Sequence, residues 1–358
     1  MPIVESSQQE SHTLSEILSQ PEIWPRALQQ AQASQVFSSA AQRMQRAREV
    51  LFLGCGTSFY LAEAAAATWT LTTGKSARAL PASELILFPA LAQLRSNGTY
   101  AVVISRSGRT SEAIRAAQTL KGEYKIPTLG ITCTTGSELA RSCELTLELT
   151  AADEKSTVMT RSFTSMLLAL QQLAASCTRA QTIEVATQVV SRDLTTRIRG
   201  ISERIESFAG SRDFADYVFL AQGPFYSIAR EAGLKVMEMS CAYGQTYHSL
   251  EFRHGPKAIV GPETCLTFFL SETGYEAEAE VLSEMKELGG TIVAVCNHGS
   301  DAVRKSSDLV IELGMAVPEI ALLAPYVVPA QLLGYHSGIK EGLNPDEPRN
   351  LSRVVILD

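Results

Sequence analysis

Residues 100–117, YAVVISRSGRTSEAIRAA, pass from a β-branched run (100–104) through a turn of hydroxyl residues and glycine into a helix-period stretch. Residues 265–282, CLTFFLSETGYEAEAEVL, do the same, with Ser271 and Gly274 at the places of Ser105 and Gly108. Upstream, LFLGCGTSFY (51–60) is echoed by DYVFLAQGPFY (216–226), where Gly223 answers Gly56. Downstream, IPTLGITCTTGSELARSCELTLEL (126–149) is echoed by GTIVAVCNHGSDAVRKSSDLVIEL (290–313), Gly299-Ser300 answering Gly136-Ser137. The separations are 167, 166 and 163 residues, so three landmarks in one order keep nearly constant spacing. That is the signature of two copies of one α/β unit. Buried β-rich runs alternating with helices call for a parallel sheet covered on both faces. The expectation is an α/β chain of two tandem doubly wound parallel-sheet domains behind an N-terminal helical segment.

The helical segment is expected over 1–34, with apolar residues at three- and four-residue spacing from Glu10 to Leu18 and from Pro21 to Val50. The first domain is expected over 35–195, the second over 205–350, and a tail over 351–358. Strands are expected at 50–53, 100–104, 127–134 and 144–149. Helices are expected at 59–71 and from Thr160 to Thr182, and a polar helical stretch over 183–210 crosses between the domains.

At 358 residues the chain is long for one core, which agrees with two domains. A net charge of −7 disfavours a nucleic-acid partner while leaving room for a local pocket that takes a small phosphate. Seven cysteines (55, 133, 143, 177, 241, 265, 296) are odd in number and scattered in apolar runs, as reduced thiols are. No His, Cys and Asp set has metal-ligand spacing, and no metal or organic cofactor is expected. The start MPIVESSQQESH lacks the basic and apolar regions of a signal peptide, and the Ala-rich run at 62–69 is too short to span a bilayer. A cytoplasmic protein with no membrane partner is therefore expected.

Two strand-to-helix turns of the first copy are equipped for an anion. Gly54-Cys55-Gly56-Thr57-Ser58 opens a helix, whose first N–H groups and dipole favour negative charge. It is no dinucleotide fingerprint, because Phe59 stands where the third glycine would allow close helix–strand packing. Nor does it close as a Walker A loop does. Ser105-Arg106-Ser107-Gly108-Arg109-Thr110 opens the next helix with three hydroxyls, two guanidinium groups and a flexible glycine. Thr57, Ser58, Ser105, Ser107 and Thr110 suit a phosphate monoester, though helix caps and turns use the same residue types. In the second copy Gln222-Gly223-Pro224 and Glu272-Thr273-Gly274-Tyr275 replace both turns. That copy carries instead EAGLKVMEMSCAYGQTYHSLEFRHGP (231–256), where Glu231, Lys235 and Glu238 share one helix face. A surface Glu–Lys ladder has the same spacing as charged groups facing a cleft. The copies thus divide the labour between anion binding and acid–base residues.

These motifs resemble the SIS (sugar isomerase) domain family, whose domains are flavodoxin-like and occur in tandem. GCGTS and SRSGRT are similar to its phosphate loops. The 231–256 stretch and PDEPRNLSRVV resemble the isomerase half of glutamine–fructose-6-phosphate aminotransferase. DEKSTVMTRSFTSMLLAL and FRHGPKAIV are similar to the galactosamine-6-phosphate deaminase/isomerase (tagatose-6-phosphate ketose/aldose isomerase) group, and fructosamine-6-phosphate deglycases are similar too. The resemblance covers about residues 12–358. It implies that Cys55, Gly56, Thr57, Ser58, Ser105, Arg106, Ser107, Gly108 and Thr110 hold a sugar phosphate. It implies proton transfer by Glu238, ring opening by His254 reaching in from a neighbouring subunit, and Lys235 and Glu231 near the sugar. A homodimer with active sites at the interface is the corresponding expectation. Such chemistry needs an acid–base for the ring, a carboxylate for the carbon-bound proton and a donor for the carbonyl oxygen.

The tail departs from the pattern. In the aminotransferase the PRN triplet is followed by two residues and then a lysine able to form an imine, and Arg353 stands at that position. A guanidinium stays protonated and forms no Schiff base, although it can donate to a sugar oxygen. Met1 is followed by Pro2, so the nucleophilic cysteine of a glutaminase is absent from that position. The expected activity is isomerisation or deamination of an amino sugar or ketose 6-phosphate. Fructosamine-6-phosphate deglycation and a non-catalytic phosphosugar sensor are the alternatives. His248, His12, His298 and His336 are expected to be ordinary surface or structural residues.

Overall fold

The computed structural model describes residues 11–178 and 181–357. It contains two five-stranded, wholly parallel sheets. The first runs β1 (Glu49–Gly54), β2 (Ser76–Pro81), β3 (Thr99–Ile104), β4 (Thr128–Thr132) and β5 (Leu145–Glu148). The second runs β6 (Asp216–Ala221), β7 (Tyr243–His248), β8 (Thr264–Phe269), β9 (Thr291–Cys296) and β10 (Leu309–Glu312). Spatial order is β2-β1-β3-β4-β5 in one and, read from the same edge, β7-β6-β8-β9-β10 in the other. The duplicated sequence therefore folds into two copies of one doubly wound, flavodoxin-like topology, with helices on both faces of each sheet.

The central strands coincide with the apolar runs because they are covered on both sides: every residue of β3, β4, β8 and β9 is buried. Two strands escaped the sequence reading. SARALP (β2) and YGQTYH (β7) are edge strands, each with one neighbour and only partly covered. They need no continuous apolar run and show none.

The expected N-terminal helix from Pro21 to Val50 is broken. Helices His12–Leu18, Gln20–Ala33 and Gln35–Arg46 are separated at Ser19 and Ser34, and β1 begins at Glu49. Ser34 accepts from the N–H of Val36 and so starts the third helix. The expected start at Glu10 lies outside the described residues. The helix expected from Thr160 to Thr182 spans Arg161–Ser176, and a second, Gln181–Gly210, bridges the two sheets. Along it Val190, Leu194, Ile198, Ile201, Ile205 and Phe208 are buried at three- and four-residue spacing.

The helix Phe225–Ser240, which carries Glu231, Lys235 and Glu238, is held by close backbone contacts. A Cβ on Gly244 of β7 would lie 2.4 Å from the Gly233 carbonyl oxygen. On its other side, a Cβ on Gly338 of helix Leu323–Lys340 would lie 2.1 Å from the Met239 carbonyl oxygen. Only glycine permits both approaches, and the helix is clamped between sheet and helix.

Candidate active site

In each sheet the strand order reverses between the first and third strands of the copy, and open α/β sheets bind ligands beyond the strand ends at that point. In the first domain the loops flanking the reversal are 54–58 after β1 and 105–110 after β3.

The first loop turns at Gly56, whose φ of 53° lies in the left-handed region, and helix Thr57–Thr73 starts at once. Close helix–strand packing does occur here, but at Gly54, where a Cβ would lie 2.2 Å from the Ser58 carbonyl oxygen. Phe59 is therefore tolerated. Thr57 and Ser58 are buried, and burial pushes the Cys55 thiol up to about 12, so it stays protonated.

In the second loop the Ser105 and Thr110 hydroxyls lie 3.0 Å apart, and Ser107 Oγ accepts from the Arg109 N–H at 3.2 Å. Gly108 has a φ of 61°, and a Cβ there would lie 2.2 Å from Ser137 Oγ. Neither helix has a side-chain cap, so the alternative role for Thr57 and Thr110 as caps is not the one adopted. The Ser58, Phe59 and Tyr60 N–H groups already bond the Cys55 and Gly56 carbonyls, and the Ser111 N–H bonds the Val355 carbonyl of the tail at 3.4 Å, so an anion here would draw on the hydroxyls and the remaining N–H groups.

Arg106 has a different task from the one expected. Its guanidinium is buried and turns to Glu154 (3.3 Å) and to the carbonyls of Ser156 (3.1 Å), Thr157 (3.0 Å) and Arg353 (2.8 Å). A buried cation must be paired, and Glu154, itself fully buried, does this through Nη1, while Arg106 Nε has no hydrogen-bond partner among the described residues. Arg106 thus ties the loop to the 153–157 segment and the tail. Arg353 bonds Asp153 (2.7 Å) and the Glu154 carbonyl; its side chain is 42% exposed, and its hydrogen bonds and ion pair run to these residues rather than to Glu231, Lys235 or Glu238.

The second domain contributes a cluster of charged side chains. Lys235, fully buried, has Glu231 Oε1 at 3.3 Å, bonds Glu238 closely, and donates to Thr57 Oγ1 at 3.1 Å. The surface-ladder alternative is thereby excluded, and the contact joins the second domain's carboxylates to the first domain's loop. The fully buried Glu231 makes no well-aligned hydrogen bond. Burial pushes its carboxyl up to about 8, against the opposing pull of Lys235. Burial by itself would depress the Lys235 pKa, but Glu231 and Glu238 outweigh it and hold the ammonium above the ordinary lysine range.

This charge distribution carries a pH signature. A carboxyl protonated up to about 8 in the fold but only to its ordinary 4.5 when unfolded binds more protons in the native state. Stability is then fully present below 4.5 and falls as pH rises toward 8. Glu231→Gln should flatten that fall. Denaturant unfolding at pH 5 and pH 8 checks it: wild type should lose more stability than the variant between the two.

His254 is exposed at the end of a 3-10 turn, its N–H donating to the Glu251 carbonyl at 2.9 Å. Among the described residues none hydrogen-bonds its ring or ties it to the Lys235 group. His248 stacks on Tyr226 with ring centroids 3.8 Å apart, and burial lowers its pKa.

The second copy's turns are filled by carboxylates that sequence reasoning missed. Glu278 accepts from the N–H (2.9 Å) and hydroxyl (2.6 Å) of Ser271 and from Ser249 (3.2 Å). Glu319 accepts from the N–H groups of Glu272 (2.6 Å) and Thr273 (3.1 Å). The donors that would meet an anion are already occupied there. Also missed was Glu16, which accepts from the N–H groups of Lys155 (2.6 Å) and Ser156 (3.1 Å); an acid inside the apolar stretch LSEIL was its signal. Among the described residues no group of three or more His, Cys, Asp or Glu could hold a metal ion, and no helix is long and apolar enough to cross a membrane.

The sequence model of the SIS domain matches residues 43–176 and again 216–337. Over 312 residues the chain is 26% identical to glutamine–fructose-6-phosphate aminotransferase [isomerizing] of Methanothermobacter thermautotrophicus, covering 86% of this chain and 52% of that protein. It spans roughly half the length of the curated relatives it matches. The crystal structure of glucosamine-6-phosphate deaminase from Thermotoga maritima is 28% identical, with a TM-score of 0.76 over 97% of this chain and 100% of that one. Tagatose-6-phosphate ketose/aldose isomerase from Escherichia coli has a TM-score of 0.82 at 22% identity, over 94% of this chain and 95% of that one. At that identity the likeness is one of fold.

Proposed function

Because the chain belongs to the SIS domain family, we propose that it isomerises or deaminates an amino sugar or ketose 6-phosphate by ring opening and proton transfer at C1–C2. The observation that carries this reading is the Lys235–Thr57 bond, which sets the carboxylates of one domain against an anion-ready loop of the other. The phosphate is held by Ser105, Ser107 and Thr110 with Thr57 and Ser58, at the two uncapped helix starts. The sugar then extends toward Glu238, whose side chain is 18% exposed while those of Glu231 and Lys235 are sealed. Glu238 is the group with access to a substrate carbon.

In the deaminating direction, ring opening of a 2-amino aldose phosphate exposes the C1 aldehyde. Glu238 takes the C2 proton while O1 takes a proton from the substrate's own ammonium group, giving an enolamine; return of the C2 proton to C1 leaves a C1 hydroxyl and an iminium at C2. Water adds there and ammonia departs, giving the ketose phosphate. Without the amine, the same C2-to-C1 shift, with the O2 proton passing to O1, interconverts aldose and ketose. The Lys235 ammonium offsets charge that develops on the carbonyl oxygen. His254 acts on the ring from a neighbouring subunit of a homodimer, which accords with its exposure and with the lack of a partner for its ring among the described residues. Arg353 forms no imine with the substrate, so the route needs no tail amine.

A panel of galactosamine-, glucosamine- and fructosamine-6-phosphate tests this, scored separately for ammonia or amine release and for ketose formation. Ammonia formed from a 2-amino sugar phosphate without added glutamine is the expected result. Amine release from the fructosamine phosphate alone would give deglycation instead, and no turnover of any member would leave a binding protein.

A further inference from the structure

One side chain of the helix Phe225–Ser240 bridges the two domains without belonging to the group already described. Arg230, next to Glu231, pairs with Glu63 of helix Thr57–Thr73. Its guanidinium also lies over the rings of Phe59, 5.1 Å from the centroid, and Tyr60, 4.4 Å away. Both partners of the ion pair, which runs through Glu63 Oε1, are about a quarter exposed, and Glu63 Oε2 is buried with no hydrogen-bond partner among the described residues.

The same two helices are also joined by the Lys235–Thr57 bond. Thr57 and Glu63 are roughly 9 Å apart along one helix, and Lys235 and Arg230 roughly 7.5 Å apart along the other, at 1.5 Å per residue. The earlier residue of one helix meets the later residue of the other. The two helices pack against each other, and a single polar contact pins that packing at one point only. Two, separated by more than a helical turn, fix both spacing and rotation. A guanidinium suits the second contact, because its plane can lie on a ring while its edge pairs with a carboxylate.

We propose that Arg230, latched to Glu63, Phe59 and Tyr60, is the positioning residue that fixes the distance and angle between the first domain's phosphate loop and the second domain's carboxylates. The proposal deepens the phosphosugar reading and rests on it for its catalytic consequence. Arg230 touches no reacting atom; it acts through the start of helix Thr57–Thr73.

The test compares wild type with Arg230→Met, Arg230→Lys and Glu63→Gln by steady-state kinetics, thermal unfolding and amide hydrogen exchange over residues 57–61. Arg230→Met is expected to lower kcat roughly 10- to 100-fold, the scale of a small misplacement of reacting groups. KM should stay within about threefold, because the phosphate contacts themselves survive. Exchange at 57–61 should quicken, Glu63→Gln should follow in the same direction, and Arg230→Lys should recover part of the rate. An Arg230→Met protein with wild-type kcat overturns the latch and leaves the phosphosugar reading standing. So does a fall in kcat matched by an equal loss of folded protein. If wild type turns over no sugar phosphate, the functional reading fails by itself, and exchange at 57–61 still decides: unchanged exchange in Arg230→Met overturns the latch.

Discussion

Glu238→Gln is expected to bind its sugar phosphate as wild type does and to lose turnover by about a thousandfold, within the range for removing a positioned general base. The amide keeps the volume and one acceptor for Lys235, so the buried cation still has a partner and the helix its packing. It cannot take up the proton at C2. Steady-state kinetics beside equilibrium binding of the phosphosugar separates the two effects. Undiminished kcat would remove Glu238 from the reaction. A loss confined to KM would make it a binding group.

Lys235→Met carries the second large effect, and here stability falls together with activity. The ammonium is fully buried against Glu231, Glu238 and Thr57. Removing one member of a buried ionic set typically costs about 3–5 kcal/mol, because the remaining charge is left uncompensated. Glu231 softens that cost, since its carboxyl is already pushed up to about 8 and sits protonated at neutral pH. Glu238 keeps some access to water, which softens it further. A loss of about 3 kcal/mol at pH 7 is therefore expected, read by denaturant unfolding with the two domains followed separately. The double variant Lys235→Met/Glu238→Gln should recover part of it, having no stranded carboxylate. A double variant no more stable than the single one would show that packing, rather than charge, dominates the site.

What the sequence made legible follows the reach of its signals. β3 and β8 were readable because full burial on both faces demands an unbroken apolar run. β2 and β7 were not, because an edge strand with one neighbour can be built from SARALP or YGQTYH. The duplication was readable because three turns kept their glycines in order. Glu231, Lys235 and Glu238 were placed on one face by helix geometry alone. The meeting of Lys235 with Thr57, 178 residues away, is a tertiary contact that no local pattern encodes. The same limit explains Arg106. Beside two serines and a glycine it reads as an anion ligand, and only the fold brings the buried Glu154 to claim it. The second copy's loss of its hydroxyls was visible, whereas the occupation of its turns by Glu278 and Glu319 was not. Arg230 went unnoticed because its partners Phe59, Tyr60 and Glu63 belong to the other domain.

The most direct measurement of the shared site is a crystal structure of the Glu238→Gln protein with an open-chain hexitol 6-phosphate. The phosphate should bond the Ser105 and Thr110 hydroxyls at the helix starts, with C1 and C2 against residue 238 and Lys235 beside them. A phosphate lodged elsewhere, or a sugar chain leading away from residue 238, would contradict the account.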